Sequence, residues 1–241
     1  MNLLLEKARL AQVADFYSSR RGLNYLLVSH GADIISRHAR GPRLLELGCA
    51  NGVMTEIFAD RFPEVTVVEG AESYAATARE ILAGRGEVHC CLFEEFVPTK
   101  PFDDIVLAGV LEHVADPVDL LSRAAGWLNR RGRLHLLVPH AHSLHRLAGV
   151  TLGLLSHPEA MHAGDRAMGH RRVYTWKLLE KQVLESGLQI KTRDGNFLKP
   201  LSNAQMEDLP EALLEDARLL GREFPELAAE IYALCVPVTN H

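Results

Sequence analysis

No run of about 18 apolar residues occurs in this 241-residue chain, so no segment reads as a transmembrane helix. Cysteine is scarce. The four residues Cys49, Cys90, Cys91 and Cys235 form no CxxC pair and have no histidine at finger spacing, so no metal site is expected. All four fall in or beside predicted strands, which leads to an expectation of buried, reduced thiols in a cytoplasmic protein. Positive charge is not in excess either. The formal net charge is −5 and no basic stripe is laced with aromatics, which argues against a nucleic-acid partner. The opening stretch MNLLLEKARLAQ lacks the continuous apolar run and cleavage site of a secretory signal. Internal repeats and low-complexity segments are missing too.

What is present is an ordinary globular composition, 47% hydrophobic and 24% charged, long enough for one domain with a full core. Twelve histidines widen the choice of acid–base groups. Residues 2 to 39 show helical spacing in two parts, broken near Arg21-Gly22, and read as a helical lid or packing layer. From Arg43 the pattern alternates. Predicted strands are 44–47, 65–69, 88–92, 104–108 and 134–138, separated by predicted helices at 53–62, 73–83 and 118–128. Such alternation with short links predicts an α/β protein, a parallel sheet with helices on both faces. Residues 140 to 172 break the rhythm and are assigned to substrate recognition, since insertions after a strand's carboxyl end carry specificity. A helix at 175–185, a strand from Leu188 bending near Gly195, a helix at 210–222 and a final strand at 229–236 complete one domain. Its parts are 1–41 (lid), 42–139 (cofactor core), 140–172 (variable) and 173–241 (rest of the sheet).

The stretch RLLELGCANGVMT, Arg43 to Thr55, is strand, glycine turn, helix. Such a turn brings a cofactor close to the backbone. A dinucleotide needs glycines at the first, third and sixth positions; here those positions are Gly48, Ala50 and Val53, so NAD and FAD are disfavoured. The P-loop lysine is absent as well. What remains is Glu46-x-Gly48-x-x-x-Gly52 with an acid, Glu69, closing the second strand. Glu69 can accept both hydroxyl hydrogens of a ribose. An acid within an apolar strand, such as Glu46, needs a partner.

LLELGCANG, VTVVEGAESY, FDDIVLAGVLEHVADPVDLL and GRLHLLVP resemble the successive motifs of class I S-adenosylmethionine-dependent methyltransferases, most closely the ubiquinone and small-molecule branch. Gly169 to Thr175 resembles the same branch. The resemblance implies a Rossmann-like seven-stranded, mostly parallel sheet with an antiparallel last strand, and S-adenosyl-L-methionine as cofactor. It implies that Glu46 and Gly48 lie near the methionine part, with Ala50 and Gly52 shaping the turn. Glu69 would take the ribose, Gly70 and Ala71 would lie beside the adenosine, and Leu92, Phe93 and Glu94 would flank the adenine. Gly109 and Val110 would pass beneath the cofactor, and His113 would stand near the transferring methyl.

A general base is required only if the acceptor keeps its proton, as a hydroxyl does. His113, His140, His142 and His170 are the candidates. Arg146, Arg166, Arg171 and Arg172 flank the variable region and offer bidentate binding to an acceptor carboxylate or phosphate. Tyr17, His142 and Tyr174 complete the expected substrate side. The expected activity is methyl transfer to a small molecule, with oxygen ahead of nitrogen and carbon, by a monomer or homodimer. Two other readings stay open: non-methylating chemistry on the same cofactor, and a noncatalytic binding module.

Overall fold

The computed structural model describes Glu6, Arg9, Leu10 and residues 19–238. Most of the first predicted helix, with Tyr17, lies outside the described residues. The second is α1, Gly22–His38. A seven-stranded sheet follows, built from β1 (Arg43–Leu47), β2 (Glu64–Glu69), β3 (Glu87–Cys90), β4 (Phe102–Ala108), β5 (Leu128–Pro139), β6 (Leu188–Asn196) and β7 (Glu230–Pro237). The strand order is β3-β2-β1-β4-β5-β7-β6. β7 runs antiparallel to both β5 and β6, while the other neighbours are parallel.

Side chains alternate across the sheet, as strand geometry requires. Leu45, Leu47, Ile105, Leu107, Leu134, Leu136 and Ile231 face one layer, which is closed by α4 (Pro117–Trp127) and, past the short helices α5 (Leu144–Thr151) and α6 (Ala163–Ala167), by α7 (Trp176–Glu185). Leu44, Val106, Leu137 and Tyr232 face the other, with α1, α2 (Val53–Arg61) and α3 (Glu72–Leu82). Burial on both faces explains why these strands read as unbroken apolar runs. Helix starts follow local signals. Asp116 accepts the amide of Asp119 ahead of Pro117, and Thr175 caps the amide of Leu178.

Three expectations are corrected. β5 begins six residues earlier than its apolar core at Leu134 suggests, pairing Leu128 with Phe102. β3 is an edge strand and mostly exposed. It stops at Cys90, so Cys90 is exposed and Cys91 half-buried. Only Cys49 and Cys235 are buried thiols, because only they stand on covered parts of the fold.

Sequence reasoning missed a polar chain inside the second layer. Nε2–H of His135 donates to Asp104 Oδ1 (2.9 Å), and Tyr232 O–H donates to His135 Nδ1 (2.9 Å). Asp104 Oδ2 accepts the amides of Arg40 and Gly41, fixing the entry to β1. Burial holds the His135 imidazole below its ordinary pKa despite Asp104. Burial works against the Asp104 carboxylate, but His135 and the two amides outweigh it and hold that pKa low. Both groups therefore bind fewer protons folded than unfolded in acid. The His135 contribution to stability is present at neutral pH and is lost as pH falls through and below about 6.5, and that of Asp104 is lost only below about 3.8, each at no more than about 1.4 kcal/mol per pH unit. The urea midpoint is expected to drop between about pH 7.5 and about pH 5. In His135→Gln, which keeps a donor toward Asp104 but does not titrate, the slope is expected to flatten. An unchanged slope would place the dependence elsewhere.

Candidate active site

The carboxyl ends of β1, β2, β4 and β5 open onto a cavity of about 650 Å³, within the range of small-molecule sites. Its two ends differ in chemistry.

At the first end, the turn after β1 carries left-handed backbone at Gly48 (φ 77°), Ala50 (φ 44°) and Gly52 (φ 76°). Gly48 and Ala50 are wall residues and Gly52 is not. A Cβ on Gly52 would meet only the terminal methyl of Ile81, which can swing aside, so it is the left-handed backbone that favours glycine there. Glu46 also stands off the wall. Thr55 Oγ1 donates to its Oε2 at 2.6 Å, so the buried acid finds its partner one turn into α2. Burial pushes Glu46 up to about 8.

Glu69 is a wall residue that ties the two turns together: its Oε2 accepts the Cys49 amide (3.1 Å) and its Oε1 the Ala71 amide (2.8 Å). Burial raises its pKa, against the pull of those amides. The Cys49 thiol also reaches Oε2 (3.8 Å) and the amides of Ala50 and Gly70 add to the pull on the carboxylate, so the acceptor capacity to spare is on Oε1, which takes the Ala71 amide. Gly70, Leu92, Phe93 and Glu94 continue the wall. The Leu92 amide is held by Glu95 Oε2.

Beyond β4, Gly109 (φ 66°) and Val110 pass along the wall, followed by Glu112 and His113. Glu112 is buried, its Oε2 has no hydrogen-bond partner among the described residues, and burial pushes it up to about 7. Burial, reinforced by His170, pushes His113 down to about 3. The His113 and His170 rings meet edge-on at 4.7 Å. Glu112, His113 and His170 offer three ligand atoms within 4.8 Å of one another, a carboxylate–imidazole set of the kind that suits borderline divalent cations.

The arginines expected to meet the acceptor are engaged elsewhere. Arg172 donates to the carbonyls of Leu111, Val114 and Ala115, and Arg171 to His113 O and Glu6. Together they clamp the loop after β4. Arg146 is buried and committed to Pro158 O, Ala160 O and Asp165. Exposed Arg166 bonds Met161 O. Of these four, only Arg146 is on the wall. Tyr174 is fully buried, its hydroxyl bonding Leu111 O and Gln182, and His142 pairs on the surface with Glu159. Neither lines the cavity. From the N-terminal segment, Glu6, Arg9 and Leu10 do, and Arg9 is fastened to Gly169 O and His113 O.

The second end lies beyond β5 and β7. His140 is 1% exposed and on the wall. Its Nδ1 faces the carbonyl of Ala228 at 3.2 Å. A carbonyl only accepts, so the proton sits on Nδ1 and Nε2 is bare. Nε2 has no partner among the described residues, and burial pushes the imidazole down to about 4. His145, Lys199, Asn203 and Glu230 share this end. Sequence reasoning singled out none of them, although Glu230 opening an apolar strand is the same signal that flagged Glu46 and Glu69.

This strand order, with β7 antiparallel, is that of the Rossmann-like class I methyltransferase fold. The chain belongs to the methyltransferase-domain family, which matches residues 18–192, and S-adenosylmethionine is the cofactor of that family. Among curated proteins it is 28% identical over 169 residues to a ubiquinone biosynthesis O-methyltransferase of Sinorhizobium fredii, covering 68% of this chain and 66% of that one. The chain spans about two thirds or less of the first such relatives. The CcbJ methyltransferase from Streptomyces caelestis superposes with a TM-score of 0.65 at 13% identity, covering 95% of this chain and 96% of that one. The N-methyltransferase NodS from Bradyrhizobium japonicum, in complex with S-adenosyl-L-homocysteine, does so at 0.62 and 14%, covering 99% and 100%. At those identities the structures speak for the fold. No helix among the described residues is long and apolar enough to cross a membrane.

Proposed function

We propose that this protein transfers the methyl group of S-adenosylmethionine to a hydroxyl oxygen of a small molecule, with His140 as general base. The observation that carries the reading is the fixed tautomer of His140, whose bare Nε2 belongs to a buried wall residue at the end of the cavity away from Glu69. The cofactor fits the first end. Glu69 has acceptor capacity for ribose hydroxyls, Leu92 and Phe93 present apolar surface for an adenine, and Gly48 and Gly109 leave backbone uncovered.

Held by Glu69, Leu92 and Phe93, the cofactor would supply a methyl on a positive sulfur, which would depart as a neutral thioether in exchange for the new oxygen–methyl bond. His140 takes the acceptor's proton at Nε2. The Ala228 carbonyl on Nδ1–H stabilises the imidazolium that forms, which then loses its proton to solvent. His113 is held neutral by burial, so it adds no positive charge to repel the cofactor. The loop clamped by Arg171 and Arg172, together with Arg9, closes the wall and helps hold the two reactants in register.

A similar reading for oxygen comes from the ubiquinone O-methyltransferase relatives. The test is a panel of phenols, aliphatic alcohols and amines incubated with S-adenosylmethionine, read by mass spectrometry for methylated product. Methylated hydroxyl compounds are the expected result; methylation confined to amines would remove the need for His140 and overturn the assignment.

A further inference from the structure

The second end of the cavity contains a buried lysine and an acid that do not pair. Lys199 is 8% exposed and lies on the wall. Among the described residues its ammonium donates to Asn203 Oδ1 alone, leaving two N–H groups uncommitted. Glu230, at the start of β7, is also on the wall. Asn196 donates to its Oε2 at 2.6 Å, which leaves Oε1 open. The two groups feel each other's charge, yet no ion pair between them is among those within 4.0 Å. Neutral amides hold both in place: Asn203 is itself braced by Asn24, and Asn196 by Leu27 O. The other arginine and lysine side chains on the wall already have a carboxylate partner, Arg9 in Glu6 and Arg146 in Asp165, whereas the Lys199 ammonium is held by a neutral amide.

An isolated charge in such a place is costly. Burial pushes Lys199 down to about 8 and Glu230 up to about 7. A ligand that brings an acceptor to one and a donor to the other relieves both.

We propose that Lys199 and Glu230 are the recognition pair for the methyl acceptor and select a small carboxylic acid that also carries a hydroxyl or amino donor. The carboxylate meets Lys199 and the donor meets Glu230. The inference rests on the methyl-transfer reading of this cavity, and it transfers the expected anion contact from the variable-region arginines to a lysine beyond β6.

The test uses the full chain saturated with S-adenosyl-L-homocysteine, its binding first measured by calorimetry. The probes are 3-hydroxybenzoate, 3-hydroxymandelate and their methyl esters, titrated at millimolar concentration and followed by ligand-observed NMR. The acids are expected to bind about tenfold or more tighter than the esters. Lys199→Met, an apolar replacement that a buried site tolerates, is expected to abolish that preference. Glu230→Gln is expected to weaken acids and esters alike while keeping the preference. In both variants the affinity for S-adenosyl-L-homocysteine stays within about twofold, because neither residue is on the adenosine side. Equal binding of acid and ester to the native chain, a preference that survives in Lys199→Met, or no binding of any probe would overturn the proposal. Failure of the native chain to bind S-adenosyl-L-homocysteine would overturn the cofactor reading instead, and the pair with it.

Discussion

Replacing Glu69 by alanine is expected to weaken S-adenosyl-L-homocysteine binding by about 10²- to 10⁴-fold. The reasoning starts from geometry. Glu69 closes β2 beside the turn after β1 and lies on the cavity wall with acceptor capacity to spare. Two ribose hydroxyls donated to a carboxylate are charge-assisted bonds, worth roughly 1.5–3 kcal/mol each, and their loss converts to that range in Kd. The substitution also releases the amides of Cys49 and Ala71, so part of the loss comes from a looser turn. Glu69→Gln separates the two effects: it keeps the size, yet its NH₂ confronts donors. Binding should fall in both variants, and further in alanine. Isothermal titration calorimetry is the measurement, with a thermal melt to confirm folding. A Kd within about threefold of the native value would show that Glu69 does not hold the ribose.

The second large effect is on chemistry. His140→Ala is expected to lower kcat by about 10²- to 10⁴-fold on a hydroxyl acceptor, the range for loss of a positioned base. S-adenosyl-L-homocysteine affinity should change little, since His140 stands at the other end of the cavity. The signature of a base is in the acceptor's acidity. As the acceptor's own pKa falls, the penalty for losing His140 should shrink, because a more acidic hydroxyl gives up its proton without help. His140→Gln, which keeps a polar side chain but cannot take a proton, should resemble alanine. A penalty that is the same for acidic and weakly acidic acceptors would make His140 a packing residue.

The sheet was legible because its strands are buried on two faces: runs such as Leu44–Leu47 and Ile105–Ala108 have no other economical place. The cavity end proposed for the cofactor stood out in the sequence for a related reason. An acid such as Glu69 at the end of such a run is costly unless something donates to it, and the positive-φ turn beside it requires its glycines. The acceptor end was not. Arg171 and Arg172 look like anion binders in one dimension, but the fold places them over a loop whose carbonyls need donors. Tyr174 looks like a substrate contact and is sealed between β5 and α7. Lys199 reaches the cavity because the chain turns just after β6, with Phe197 at φ 64°, a bend no periodicity announces. The proposal of His140 over the other histidines rests on the Ala228 carbonyl, 88 residues away in sequence, and only tertiary structure brings it there.

The most direct measurement is a crystal structure of the full chain with S-adenosyl-L-homocysteine bound. The account predicts both ribose hydroxyls on the Glu69 carboxylate, the adenine against Leu92 and Phe93, and the sulfur facing the end of the cavity that holds His140, Lys199 and Glu230. A nucleoside bound away from Glu69, or a sulfur turned from His140, would contradict it.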